Sequence, residues 1–576
     1  MALELVKNSR VYSISNIDKG GIFLNKFIDR NIGERIKKIA LDLTRIPSVV
    51  GTKGEVVIAE AIYDHLKDIE YFRNNPDNLR LLPITNDSLG RQNVLAFIEG
   101  SNRKSNRTIL CLGHIDTAGI DDFGELKEYS SEPEVLKEKL KSIKFCQETW
   151  EELQSPDWIF GRGIFDMKTG VASLMVMMEE FSRQVDQLDG NIVFIGVPDE
   201  EGNSAGMLSA VESLEEISQE RDWEFIASID TDYMTCKYPG DDHKYVYVGT
   251  VGKLLPSFFL YGEETHVGES FNGLDANLLA SEVLWQIDLS TDLCDIADGE
   301  VTLPPISLQQ RDLRTEYSVQ TTNSVNLYFN YATHCSQPDE VLAKCKAKAE
   351  QSFENVIKRL NEEYEKYCKL CNVPFQKLPW QSQVLTYEEL YQNVKAELGD
   401  EIDQIITDLT IKLKEKGVDD RAFSLAIVQE VHKNYSNQNA KIIVYLAPPY
   451  YPHISVQGYD EKEKRLLDAV GQAVDEVKEQ YDYKILMKKF YPYISDLSYC
   501  SISKDEESIN KLVDNMPAWP HQYNLPVKSI QSISMPVVNI GPFGKDAHKL
   551  SERLCTSYSL DAMPQILYKT FMNLLK

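Results

Sequence analysis

Six short stretches of this chain carry side chains that bind metals well. CLGHIDT places His114 and Asp116 two apart, GRGIFDMKTG holds Asp166, and GVPDEEGN holds Glu200 and Glu201. SIDTD follows with Asp230 and Asp232, YGEETHVGE with His266, and GPFGKDAHKLSE with His548 near the end of the sequence. Imidazoles and carboxylates in this mixture suit a pair of divalent cations, most simply zinc. Side chains alternate along an extended segment, so His114 and Asp116 share a side; the natural pairing is His114 as ligand with Asp116 fixing its tautomer from behind. Asp166 follows a turn punctuated by glycines, and its two oxygens could bridge two cations. Adjacent Glu200 and Glu201 repel each other at a buried strand end, and a metal relieves that cost. One of the pair can bind metal while the other takes a proton from attacking water. Asp230, nearer its strand end, is the better ligand candidate of the SIDTD pair. Each residue alone has a plainer reading, such as a helix cap for Asp166 or a solvated acidic turn for the Glu pair. Their joint placement at strand ends of one sheet argues for a site.

The elements that must position these residues alternate. ERIKKIALDLTRI and VVIAEAIYDHL read as helices around a glycine turn. VLAFIEG, RTILCLGHID, GNIVFIGVPDEE and EFIASIDTD read as buried strands, and TGVASLMVMMEEF as a helix starting after Asp166. This alternation predicts an α/β fold with a mixed, mostly parallel sheet covered by helices, its ligands beyond the carboxyl ends of the strands. Near residue 245 the pattern changes to strands, a helix, another strand and long polar helices, closing with KIIVYLAPPY. This predicts an inserted α+β lid domain over 246–446, enlarged by extra helices, between two parts of a catalytic domain, 1–245 and 447–576. SMPVVNIGPFG is expected to return to the first sheet and deliver His548.

Composition narrows the class. The 576 residues are 43% apolar and carry 61 basic against 89 acidic residues, a net charge of −28. Such a balance argues against binding nucleic acid, which needs clustered Lys and Arg. It suits solubility and a field attracting cations, including basic substrates. No run approaches a membrane span, the first twenty residues carry no apolar leader core, and the ten scattered cysteines fit a reducing compartment. The expected location is cytoplasmic. Cys368 and Cys371 form a lone CxxC without the setting of a redox or metal site.

These motifs, in this order, resemble the M20 metallopeptidase family, a clan of two-zinc exopeptidases and amidohydrolases. GHIDT resembles that family's GHxDxV segment, GRGIFDMKTG its GRGxxDMKGG, PDEEGNSAG its DEExGxxG, and GPFGKDAHKLSE its G…AHxxNE ending. LYGEETHVGESFNGLDANLLASEVL resembles the lid segment with its His. The large lid, the SIDTDY strand end and the LYFNYAT strand resemble, more narrowly, the RocB-type arginine-utilisation proteins. The resemblance implies His114 and Asp230 on one zinc, Glu201 and His548 on the other, and Asp166 between them. It implies Glu200 as general base, Asp116 orienting His114, and His266 stabilising the oxyanion, reaching in from a second subunit if the lids form a homodimer. The chain departs from the family pattern in having Asp at position 230, Ser551 in place of the ending's Asn, and no Arg on the strand NSVNLYFNYAT. Arg311, Arg314 and Asn323 are the weak substitutes for substrate contact. The implied activity is hydrolysis of an amide in an N-acylated amino acid, linked to arginine or ornithine breakdown. An aminopeptidase or dipeptidase of the same family is the alternative, and a non-catalytic metal-binding protein on this scaffold a further one.

Overall fold

A computed structural model describes residues 31–101 and 105–575; the N-terminal stretch read above for a leader lies outside them. The first sheet has eight strands. In space they run Leu79–Pro83, Gln92–Glu99, Asn191–Val197, Arg107–His114, Glu224–Asp230, Val537–Asn539, Lys244–Val248 and Ile485–Lys488. Its centre is parallel: Arg107–His114 lies between Asn191–Val197 and Glu224–Asp230, and Val537–Asn539 runs parallel beside the latter. These central strands are buried almost throughout, which is why they read as continuous apolar runs rather than alternating ones. Helices Ile32–Thr44, Thr169–Ser182, Glu461–Gln480 and Met563–Leu574 pack on and beside this sheet, two of them docked against the other two.

The second sheet has five strands, in spatial order Ile306–Asp312, Ser324–Thr333, Gly252–Tyr261, Lys441–Tyr451 and Val384–Thr386. It is antiparallel apart from the short strand Val384–Thr386. Its helices include Pro338–Cys371, 34 residues long. That helix begins with a reciprocal cap between Gln337 and Glu340 and a proline in its first turn. The extra helices Tyr387–Leu398 and Asp420–Lys433 pack onto the same sheet.

Two boundaries depart from the pattern read in the sequence. Strand Lys244–Val248 stays in the first sheet, pairing with Val537–Asn539 and Ile485–Lys488. The chain crosses to the second sheet only after Gly249, at φ +96°, where a side chain would strike the carbonyls of Ile454 and Lys489. Beyond residue 446, helix Glu506–Asp514 leans on two lid helices: Ser508 donates to Asp339 of the long helix at 2.9 Å, and Lys511 pairs with Glu388 of the helix Tyr387–Leu398 at 2.8 Å. No helix among the described residues is long and apolar enough to cross a membrane.

Candidate metal centre

Strand Arg107–His114 ends on the imidazole of His114, buried beside Asp166 with Nε2 3.0 Å from Asp166 Oδ1. On its other side Nδ1 lies 3.2 Å from the carbonyl of Asp116 and 3.7 Å from its carboxylate. That carboxylate accepts the backbone N–H of Glu200 at 3.2 Å and of Glu201 at 3.1 Å. Asp116 therefore ties the histidine strand to the loop bearing both glutamates.

The turn carrying Asp166 is set by Gly163 at φ +79°, where an added Cβ would lie 2.5 Å from Thr117. The same turn is clamped from the far end of the sequence. Buried Glu552 accepts Gly163 N–H at 2.7 Å and pairs with Arg162 at 2.5 Å. This clamp brings the loop after strand Val537–Asn539 against Asp166, and with it His548, whose Nε2 is 2.9 Å from both Asp166 Oδ2 and Glu201 Oε1. His548 is half exposed at the rim. Ser551 donates to Asp546 at 2.8 Å within that loop.

Two three-residue groups result: His114 with Asp166 and Asp232, and Glu201 with Asp166 and His548. Within each group the donor atoms lie within 4.8 Å of one another. Asp166 belongs to both, one oxygen toward each histidine.

Position 230 differs from the expectation. Asp230 is committed to other partners and stands outside the His114 group: its Oδ2 accepts from Ser495 at 2.8 Å, and its Oδ1 accepts the backbone N–H of Thr231 at 2.7 Å and of Asp232 at 3.2 Å. Asp232, two residues on and therefore on the same side of the extended chain, lies beyond the strand end and reaches the group. Its carbonyl is held by Asn539 at 2.8 Å, and Gly541 packs so close that a Cβ would meet that carbonyl at 1.5 Å.

The electrostatics call for positive charge. Six carboxyl groups, those of Asp166, Glu200, Glu201, Asp230, Asp232 and Asp496, crowd around two imidazoles. Burial, then repulsion from neighbouring carboxylates, drives Glu200 and Asp232 well above the ordinary carboxylate range. Burial likewise pushes Asp230 up to about 6 and Asp496 up to about 7. Burial opposes the charged ring of His114, yet hydrogen bonds to Asp116 and Asp166 raise it well above the usual imidazole value. Bonds to Asp166 and Glu201 raise His548 to about 10. Asp166 moves the other way: despite burial, the hydrogen bonds to both histidines keep it ionised. Both oxygens of Asp496 lack a well-formed hydrogen bond among the described residues. Two imidazoles, a shared carboxylate and surplus acid form a donor set that fits two divalent cations.

Asp166, Glu200, Glu201, Asp232 and His548 open into a cavity of about 640 Å³ between the two sheets. The second sheet contributes Lys253 and Asn330, and the first domain Tyr493. Sequence reasoning missed these, as it missed Ser495 and Asp496. None sits in a glycine-flanked or strand-end acidic motif.

Of the residues expected at the site, the lid's His266, Arg311, Asn323 and Arg314 lie outside the cavity lining. His266 is exposed and caps a short turn, its Nδ1 accepting Gly268 N–H at 3.0 Å. Arg311 is exposed on the edge strand Ile306–Asp312. Asn323 extends the pairing of strands Ser324–Thr333 and Gly252–Tyr261, its carbonyl accepting Gly262 N–H at 2.8 Å and its side chain accepting from Ser324 at 3.0 Å. Arg314 is held by Thr321 at 2.6 Å and Glu264 at 3.3 Å.

Comparison with known proteins gives a consistent result. The pattern of Peptidase family M20/M25/M40 matches residues 146–504. Protein RocB of Bacillus subtilis (strain 168) is 33% identical over 551 residues, covering 96% of this chain and 97% of RocB. Uncharacterized protein YqjN of the same strain is 35% identical over 546 residues, covering 94% and 97%. Among solved structures, aminopeptidase PepT from Bacillus cereus ATCC 10987 matches with a TM-score of 0.51 at 12% identity, over 96% of this chain and 100% of PepT. The M20 family metallo-carboxypeptidase Sso-CP2 from Sulfolobus solfataricus matches with a TM-score of 0.51 at 10% identity, over 94% and 99%. At these identities the two structures speak to fold.

Proposed function

The chain belongs to peptidase family M20/M25/M40, a family of metal-dependent hydrolases, and we propose that it is an N-deacylase cutting the amide of an N-acylated amino acid. The observation that carries this reading is the pair of donor groups sharing Asp166 at the floor of one cavity, with Glu200 beside them. His114 and Asp232 would hold one cation, Glu201 and His548 the other, and Asp166 both. The donor set is most simply a zinc one. Such a pair, when bound, lowers the pKa of water and polarises an amide carbonyl.

The remaining work falls to the chain. Glu200 faces the cavity beside both donor groups and belongs to neither, and it takes the proton of the attacking water and passes it to the leaving amine. Asp116 keeps His114 in one tautomer and, through two backbone amides, holds Glu200 and Glu201 at a fixed distance from it.

The amino-acid half of the substrate carries a free carboxylate, and Lys253 suits it. Its ammonium makes no hydrogen bond or ion pair among the described residues; it lies 5.6 Å from the Tyr451 ring and feels Glu200 and Arg421 as its charged neighbours. A half-buried cation without a counterion is costly unless a ligand supplies one. A basic side chain such as that of arginine or ornithine fits the net charge of −28 and the resemblance to RocB-type proteins. Assay of N-acetyl-ornithine and N-acyl-arginines against a dipeptide panel tests the reading. Release of amino acid from the acylated substrates, with KM raised roughly tenfold or more in Lys253→Met, is expected. Release from dipeptides alone would reject the deacylase and leave a peptidase.

His266 is assigned to a neighbouring active site, within a homodimer formed through the lid. The lid exposes Trp285, Leu289, Leu308 and Tyr317 together with the free edge of strand Ile306–Asp312, a surface that a second copy would cover. Sedimentation should give twice the 65.7 kDa chain mass. A mixture of His266→Ala with Glu200→Gln should recover activity that neither variant has alone. A monomer with full activity would remove His266 from this role.

A further inference from the structure

Between the lid helix Ala276–Ile287 and its edge strand, the chain makes a small hairpin, Ile296–Ala297 paired with Glu300–Val301, followed by the extended run Thr302, Leu303, Pro304, Pro305. This hairpin is built into its place. Asp295 accepts the backbone N–H groups of His334, Cys335 and Ser336 at 2.8, 2.7 and 2.7 Å. Thr302 is buried and returns to Asp295, its Oγ1 accepting the Asp295 N–H at 2.8 Å and its own N–H donating to the Asp295 carbonyl at 2.9 Å. At the tip, Glu300 accepts Lys489 N–H at 3.0 Å, which ties the lid to the first domain. The proline after Leu303 holds that residue extended.

With Thr302 pinned inward, its two neighbours face the other way. Val301 is 56% exposed and Leu303 81% exposed, and both line the cavity that holds Glu200, Glu201 and His548. Phe490 and Tyr493 face the same space, Phe490 stacked on His334 with ring centroids 3.9 Å apart. A hydrogen-bonded segment that presents two apolar side chains to water inside a cavity lined by candidate metal ligands makes sense when a ligand covers them.

We infer that Val301 and Leu303, with Phe490 and Tyr493, form an apolar subsite for the acyl chain of the substrate. This rests on the deacylase reading above. The acyl half is chosen because the two sides of the cavity differ: Lys253 on the lid strand offers a cation that makes no ion pair among the described residues, whereas Val301 and Leu303 offer apolar surface. A carboxylate at Lys253 thus leaves the hairpin side to the group across the scissile bond.

The test uses the zinc-loaded full chain and alkyl hydroxamates, whose headgroup binds metal whatever the natural substrate is. Titration calorimetry should show hexanohydroxamate binding at least roughly tenfold tighter than acetohydroxamate, since each buried methylene contributes up to about fourfold. In Val301→Ser/Leu303→Ser the gain should fall below about threefold, with acetohydroxamate affinity and metal content unchanged. Leu303→Ser alone, at an already exposed side chain, guards against misfolding and should lose part of the gain. Equal affinity for both chain lengths in the parent, or an undiminished gain in the variants, overturns the subsite while leaving the metal centre standing. Failure of acetohydroxamate to bind the parent removes the centre and the subsite together.

Discussion

Glu200→Gln should lose turnover by roughly 10²–10⁴-fold, the range that a positioned proton-transfer group supplies, while binding as much metal as the parent. The substitution keeps the side chain's size and its cavity position, and it removes only the ability to take a proton. Glu200 lies outside both donor groups, so metal content has no reason to change. Its backbone N–H donates to Asp116, a contact that glutamine retains. Steady-state rates on the best substrate of the panel, set beside metal analysis of the same sample, decide the matter. Unaltered turnover would take Glu200 out of the reaction; loss of metal with loss of rate would make it a ligand.

Asp166→Asn should empty the centre. A carboxamide offers one oxygen and an N–H pair where Asp166 now presents an oxygen to each histidine, at 3.0 and 2.9 Å, so neither half keeps its shared anion. Both metals should leave on dialysis, and with them all activity. Two companions sharpen the result. Asp232→Asn should weaken the cation on the His114 side at least about 100-fold. Asp230→Asn, whose parent carboxylate is already committed to Ser495 and two backbone amides, should weaken it by no more than about tenfold. Equal losses in the last two would return Asp230 to the donor set.

Much of the first domain is legible from sequence. Its buried strands are long apolar runs, its helices keep a clear period, and the acidic motifs follow strand ends where parallel sheets gather ligands. The choice between Asp230 and Asp232 is not legible. Both lie on the same side of the chain, and only the partners met in three dimensions, Ser495 for one and the histidine group for the other, separate them. Asp496 is hidden for a related reason: it sits in a short turn with no periodic pattern, and its burial comes from segments distant in sequence. Lys253 reads as an ordinary strand lysine until the lid sheet turns it toward the cavity. The strand Lys244–Val248 looks like the lid strands after it, because buried strands of either sheet share the same apolar composition. Arg311 and Asn323 attract attention as polar residues near a substrate strand, but one sits on the edge strand and the other is committed to Gly262 and Ser324, and neither lines the cavity.

Anomalous diffraction from crystals of the zinc-loaded protein tests the central claim most directly. Two peaks should flank the Asp166 carboxylate, one contacted by His114 and Asp232 and the other by Glu201 and His548. Absence of zinc at Asp166, or a lone ion that leaves one of the histidines uncoordinated, would contradict the account.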